Sequence, residues 1–346
     1  MGRLLRYVRF PLLCCAVGLV AVFVSHCGLS PAGLEATWLT LVLLALEISL
    51  SFDNAVVNAR VLEHLTPGQQ RFFLSWGLVI PVFGVRFLGP LLLVSLAGGI
   101  GLGQALDAAL HHPEEYHALL ELAEPRILSF GGMFLLMVFL RYFIDEAKTL
   151  HWVEVLEVRL SSAGRVPSLE VALGLIILMG VAFVLPGSLR SDVLFAGLIG
   201  LVLQILSTSL AEFFGGGDPA AGSMAAKSGV ASLIYLELLD ASFSLDGAIG
   251  AFAITTDLAL IITGLGLGAL FIRSLTVMLS REKALDQLIY LEHGAHYAIG
   301  ALGLLMLAGI PLAQHNVHVP EWCAGLIGIG LLVVAFWDSM RQRQRA

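Results

Sequence analysis

Ten runs of about twenty mostly apolar residues follow one another along a chain of 346 residues, each near the length that crosses a 30 Å hydrocarbon layer as a helix. Lipid offers no water to backbone N–H and C=O groups, so spanning segments must be helices or a closed barrel. Continuous apolar runs of this length, without strict alternation, favour helices. The pattern predicts spans near 8–28, 34–62, 72–97, 127–145, 168–187, 190–211, 229–256, 258–280, 291–311 and 321–339. Composition agrees, with 58% hydrophobic and only 13% charged residues and a mean hydropathy of +0.90. The expected fold class is therefore all-α, a polytopic membrane protein. A net charge of −7 without a basic stripe excludes nucleic acid as a partner and leaves the lipid bilayer.

Charge placement orients the spans. If the N-terminus is cytoplasmic, all but three of the 19 Lys and Arg residues fall at cytoplasmic ends and loops. The exceptions are Arg126 and Arg190 outside and Arg86 within a span. That bias predicts that both termini are cytoplasmic. Arg3, Arg6 and Arg9 precede an apolar run to Val24, but Ser25-His26-Cys27 offers no small-residue cleavage site, so an uncleaved first span is expected. The longest outer loop, near 98–126, is acidic and His-containing, with Asp107, His111, His112, Glu114, Glu115, Glu121 and Glu124. Cys14, Cys15, Cys27 and Cys323 lack metal-ligand spacing and read as small buried hydrophobes.

Within this apolar background one acidic motif occurs twice. Leu46-Glu47-Ile48-Ser49-Leu50-Ser51-Phe52-Asp53-Asn54-Ala55-Val56 recurs as Leu239-Asp240-Ala241-Ser242-Phe243-Ser244-Leu245-Asp246-Gly247-Ala248-Ile249. A carboxylate at the centre of a membrane helix costs about 2.5–3.5 kcal/mol on insertion scales and marks a functional position by default. The motifs fall on the second and seventh spans, so each lies second in a five-helix half. Five crossings invert the second half relative to the first. Two inverted membrane repeats are predicted, 1–187 and 188–346, forming one membrane domain, an arrangement in which transporters bind substrate near the midplane.

On an ideal helix Glu47, Ser51, Asn54 and Asn58 share one face, while Asp53 sits about 120° away. In the second copy Glu237, Asp240 and Ser244 align and Asp246 departs. Either each motif helix serves two polar surfaces, or it is broken near Ser51–Asn54 and Ser244–Gly247. The break is favoured, because Ser and Asp cap helices, Gly247 relaxes the backbone, and spans near thirty residues exceed a straight crossing. The ligands on offer are the carboxylates of Glu47, Asp53, Glu237, Asp240 and Asp246, the amides of Asn54 and Asn58, and hydroxyls and carbonyls, without Cys or His. Such hard oxygen donors suit Mn²⁺, Mg²⁺ or Ca²⁺, disfavour Cu(I), and leave Zn²⁺ open. Clustered carboxylates in low dielectric need protons, a cation or Arg to neutralise them, and Arg86 and Arg273 are the candidate counter-charges. The alternative that some of the carboxylates are permanently paired or protonated structural groups stays open.

Weaker features carry blander expectations. Gln204, Ser207, Thr208, Ser209 and Glu212 along the sixth span read as ordinary helix packing before a vestibule lining. Glu292, His293 and His296 read as a solvated helix end before a proton relay or second metal site. His315 and His318 form a poor metal signal. Gly131-Gly132 and Gly264-x-Gly266-x-Gly268 are helix-packing positions, since no strand precedes the latter to make a nucleotide loop. The chain shows no Ser/Lys or Ser/His pairing, no HExxH and no paired aspartates in a protease context, so it is not expected to be an enzyme.

The stretch from Leu46 to Ala55, with Tyr235-Leu236-Glu237-Leu238-Leu239-Asp240-Ala241-Ser242-Phe243-Ser244-Leu245-Asp246, resembles the TerC superfamily of integral membrane proteins, most closely its long bacterial branch. Trp76-Gly77, Arg86, Gly131-Gly132-Met133-Phe134-Leu135-Leu136 and Leu291-Glu292-His293-Gly294-Ala295 extend the resemblance over about 34–311. It implies a bacterial inner-membrane protein that exports manganese or a similar divalent cation, which is cargo rather than resident cofactor. Glu47, Asp53, Asn54, Glu237, Asp240 and Asp246 match the family's acidic and amide motif positions, with Ser51, Asn58, Ser244, Arg86 and Arg273 in support. Gly247 stands where better-studied relatives often have Ser, which bears on metal selectivity. The leading expectation is alternating access around a central carboxylate site. Proton-coupled export of a small solute, and a non-transporting membrane partner that aids metalation or folding of extracytoplasmic proteins, remain alternatives. A homo-oligomer is compatible with each.

Overall fold

The computed structural model describes residues 2–26, 29–63, 66–70, 72, 88, 91–92, 94–95, 99–215, 251, 254–255, 257–282, 288–315, 317 and 321–345. Among them the fold is all-α. The helices are α1 (Gly2–Ser25), α2 (Pro31–Leu50), α3 (Phe52–Glu63), α4 (Leu102–His111), α5 (Pro113–Phe143), α6 (Glu154–Ala163), α7 (Leu169–Phe183), α8 (Gly187–Gly215), α9 (Leu258–Arg281), α10 (Leu291–Ala313) and α11 (Glu321–Arg345). Among the described residues six helical segments are long and apolar enough to cross a membrane: Tyr7–Ser25, Pro31–Ile48, Glu114–Phe143, Gly187–Leu206, Leu258–Arg281 and Leu291–Ala313. Their outward faces carry bare apolar side chains such as Val17, Phe195 and Leu304. Surface of that kind is covered by lipid, and the protein is membrane-embedded. The expected spans 72–97 and 229–256 lie largely outside the described residues.

Local sequence sets the helix starts. Before α2, the Ser30 hydroxyl accepts the Gly33 N–H, and Pro31 follows at the first helical position, where no N–H is needed. Before α9, the Asp257 carboxylate accepts the N–H groups of Ala259 and Leu260. The region read as an outer loop, 98–126, differs from expectation, because α4 and the first turns of α5 occupy it. The cause is a helical period that an apolar-run reading passes over: Tyr116, Leu120, Ala123 and Ile127 all point inward and are buried. At its other end, α7 covers 15 residues, or about 22 Å at 1.5 Å per residue, shorter than the span read there.

The chain divides into two compact units, residues 1–124 with 232–284, and residues 125–231 with 285–346. Each draws on both sequence halves. In the first unit, α9 packs on α1, α2 and α3. Close approach of α2 and α9 depends on glycine: a β-carbon on Gly264 would lie 2.5 Å from Leu43 Cβ and 3.2 Å from the Thr40 carbonyl oxygen. In the second unit, Met133, Leu136, Met137 and Leu140 of α5 pack with Leu178 of α7, Leu201 of α8 and Leu307 and Ile310 of α10. Here too small residues set the spacing, with Gly132 of α5 against Gly303 and Leu307 of α10, and Gly294 of α10 against Ala335 of α11. Gly132, Gly264 and Gly268 thus serve as the helix-packing positions read from sequence.

Candidate functional site

The first motif helix is interrupted where the sequence places a break. Ser51 separates α2 from α3 with φ −103° and ψ 8°, a conformation between helix and extended regions. The interruption is a bend rather than an unwound segment. Ser51 N–H still donates to the Glu47 carbonyl at 3.0 Å, and Ala55 N–H to the Ser51 carbonyl at 3.1 Å.

Glu47 stands one turn before the bend. It is 1% exposed, and its Oε1 accepts the Ser51 hydroxyl at 2.7 Å, an ordinary O–H···O length. Its stem passes α9 at Gly268, where a β-carbon would come within 2.5 Å of Glu47 Cγ. Beyond the bend, Ala55, Val56 and Ala59 are fully buried, so α3 is enclosed. Asn58, also buried, has an amide oxygen without a hydrogen-bond partner. Such an oxygen is expensive unless something comes to it, and it is a natural cation ligand. Arg273 lies partly buried on α9, five residues past Gly268 in the sequence.

The structure therefore buries Glu47, Ser51 and Asn58 within the α2–α3 motif helix, which packs on α9, the helix that carries Arg273. Asp53 and Asn54 occupy the first turn of α3, where the N-terminal end of the helix favours negative charge; their side chains lie outside the described residues. So do Arg86, Glu237, Asp240, Ser244 and Asp246 of the second motif and its surroundings. Among the described residues no group of three or more His, Cys, Asp or Glu is arranged to hold a metal ion. Cys15 is buried and Cys14 half-buried in α1, both as free thiols, as small apolar residues would be.

A second polar cluster, in the 125–231 with 285–346 unit, was only partly foreseen. His293 and His296 are buried, which corrects the expectation of a solvated helix end. The Leu150 carbonyl of the linker from α5 to α6 meets His293 and the Tyr142 ring of α5 stacks on His296, tertiary contacts that helical spacing does not encode. At the centre is the Glu157 side chain, 0% exposed. Glu157 Oε1 accepts the Val153 N–H at 3.1 Å and the Tyr297 hydroxyl at 3.2 Å. Its Oε2 accepts the Trp152 N–H at 3.1 Å and faces Lys148 Nζ at 3.3 Å, His293 Nε2 at 3.5 Å and His151 Nδ1 at 3.8 Å.

Lys148 is wedged against the Tyr142 and Phe143 rings, 4.1 and 3.9 Å from their centroids, within cation–π range. Burial pulls its ammonium below the ordinary lysine value, against the opposing attraction of Glu157. Burial alone would raise the Glu157 carboxyl, but the Val153 and Trp152 N–H groups and Lys148 outweigh it and hold it below the usual carboxylate range. One Glu in a ten-residue helix and one Lys in a charged linker carry no local signal of burial in the sequence.

No curated protein and no solved structure matches the chain. Residues 52–346, which take in the first motif from Phe52 onward, the second motif and the His293–His296 segment, match the model of a family described as protein of unknown function, DUF475. With the match extending over most of its length, the chain belongs to the DUF475 family.

Proposed function

We propose that this protein is a divalent-cation transporter, with manganese export as the leading case. In this reading ten spans form two inverted five-helix halves in a bacterial inner membrane, with both termini cytoplasmic. Alternating access works around the carboxylates of the two motifs. The observation that carries the reading is Glu47, a carboxylate wholly withdrawn from solvent in an apolar helix of membrane-crossing length, one turn before a bend and followed by the unpartnered amide oxygen of Asn58. A carboxylate and a spare amide oxygen are hard ligands. An ion passing through would be held by Glu47, Asp53, Asn54, Glu237, Asp240 and Asp246, with Ser51, Asn58 and Ser244 in the surrounding shell and Arg86 and Arg273 balancing charge when the site is empty.

The test is manganese content and growth under manganese stress in bacteria lacking their own exporters, expressing the wild type, Asp53→Asn or Asp246→Asn at equal abundance. Lower cellular manganese with the wild type, lost in both variants, is the expected result. Full activity in both variants would overturn the assignment of the site. Behaviour like empty vector in all three would direct the same assay to liposomes and a panel of divalent cations, and absence of flux there would overturn transport itself.

A further inference from the structure

We propose that Glu157, Lys148 and His293 form a proton-operated latch that fastens the α5–α6 linker to the start of α10. The inference stands apart from the transport reading and concerns a cluster that reading does not use.

Three groups compete for one oxygen. Lys148 Nζ, His293 Nε2 and His151 Nδ1 all face Glu157 Oε2, and its other oxygen is already occupied by Val153 and Tyr297. His293 fits this arrangement as the neutral ring, with Nε2–H donating to the Leu150 carbonyl at 3.0 Å and Nδ1 accepting the Tyr142 hydroxyl at 3.4 Å. A second proton on Nδ1 would oblige the Tyr142 hydroxyl to turn and become an acceptor. It would also set an imidazolium beside an ammonium that uses the same carboxylate oxygen.

The surrounding charges can be named element by element. Tyr142 comes from α5; Asp145, Lys148 and His151 from the linker; Glu157 from α6. Tyr290, at the helix start, and Glu292, His296 and Tyr297 come from α10, with His296 stacked on Tyr142 at 3.5 Å. From α11, Asp338 takes the Trp152 indole N–H at 3.0 Å. Glu157 and Glu292 set negative charge near the His293 ring, and Lys148 sets positive charge there. With two cations drawn to one buried oxygen, acid expels the linker. The Trp152 and Val153 amides both end on Glu157. The rest of the linker has other ties: Leu150 to His293, Trp152 to Asp338 and to the Tyr290 and Tyr297 rings, and Glu146 to Arg165. Loss of the carboxylate's hold therefore frees the backbone at 152 and 153 first.

The test is backbone hydrogen exchange of residues 144–160 in the purified full chain in detergent, from pH 7.5 to 4.5, normalised at each pH to the intrinsic chemical rate. In the wild type, protection at Trp152 and Val153 should fall by about tenfold or more between the two ends of that range. His293→Gln, which keeps an N–H donor for Leu150 but gains no charge, should hold its protection constant. Lys148→Met should reverse the sign. At neutral pH it leaves Glu157 short of a cation, and acid then supplies one from His293, so protection rises. A flat wild-type profile, an undiminished fall in His293→Gln, or a fall in Lys148→Met would each overturn the latch. If His293→Gln does not fold, the wild-type profile and the direction of the Lys148→Met response decide.

Discussion

The Glu47 side chain runs through space left open by Gly268: a β-carbon on Gly268 would stand 2.5 Å from Glu47 Cγ and 2.6 Å from its Cβ. The glycine thus fixes where the buried carboxylate can lie. Gly268→Ala should cost about 1–3 kcal/mol through overpacking, measured as a lowered unfolding temperature in detergent. Gly264→Ala presses on Leu43 instead and should cost a similar amount. The two differ in function: under the transport reading Gly268→Ala loses flux beyond its loss of stability because Glu47 is displaced, and Gly264→Ala does not. Equal flux per folded molecule in the two variants would count against Glu47 as a site residue.

Ser51→Ala removes the hydroxyl that donates to Glu47 Oε1. Loss of one hydrogen bond to a buried carboxyl group costs about 1–2 kcal/mol, and alanine's better helix propensity at the bend returns only about 0.5 kcal/mol. The variant should therefore melt earlier than the wild type, and Ser51→Thr, which keeps the hydroxyl, should melt near it. Two equal melting curves for wild type and Ser51→Ala would show that water or a neighbour replaces the bond.

Gly132 and Gly303 let α5 and α10 meet at backbone distance: a β-carbon on Gly132 would lie 3.0 Å from the Gly303 carbonyl oxygen, and one on Gly303 2.9 Å from the Gly132 carbonyl oxygen. Backbone cannot give way as a flexible side chain can. Gly132→Val should lower the yield of folded protein sharply, judged by the monodisperse peak on size exclusion after extraction, while Gly180→Ala, with open space at its β-position, should leave it unchanged.

These particulars show which parts of the molecule a sequence can disclose. The bend at Ser51 was legible because motif polarity could not fit one face of a straight helix. The roles of Gly132, Gly264 and Gly268 were legible because small residues in apolar spans have few other uses. The first turns of α5 were not, since Glu114, Glu115, Glu121 and Glu124 outweigh the buried period of Tyr116, Leu120 and Ala123 in any reading by hydropathy. The Glu157 cluster was the least legible. Its members come from 148, 157 and 293, and only tertiary folding reveals that a linker charge and a helix carboxylate are shut away together.

Glu157 also determines how stability depends on pH. Its folded carboxyl is held below the usual range, so its contribution is complete above the unfolded value near 4.3 and is lost as pH falls through the lower folded value. Lys148 is shifted down by burial. The folded state therefore binds its proton more weakly than the unfolded chain, and stability on this account rises as pH climbs from the folded value towards the ordinary lysine value. Glu157→Gln should be the most damaging single change in the cluster, about 3–5 kcal/mol, because it takes the nearest counter-charge from the enclosed Lys148 ammonium and leaves only the more distant Glu292 and Asp145. Adding Lys148→Met should recover much of that loss, because the double variant removes both charges from the enclosure. Thermal unfolding of the two single variants and the double variant forms a cycle in which strong coupling is expected. Additive losses would mean that Lys148 is held by the Tyr142 and Phe143 rings rather than by Glu157.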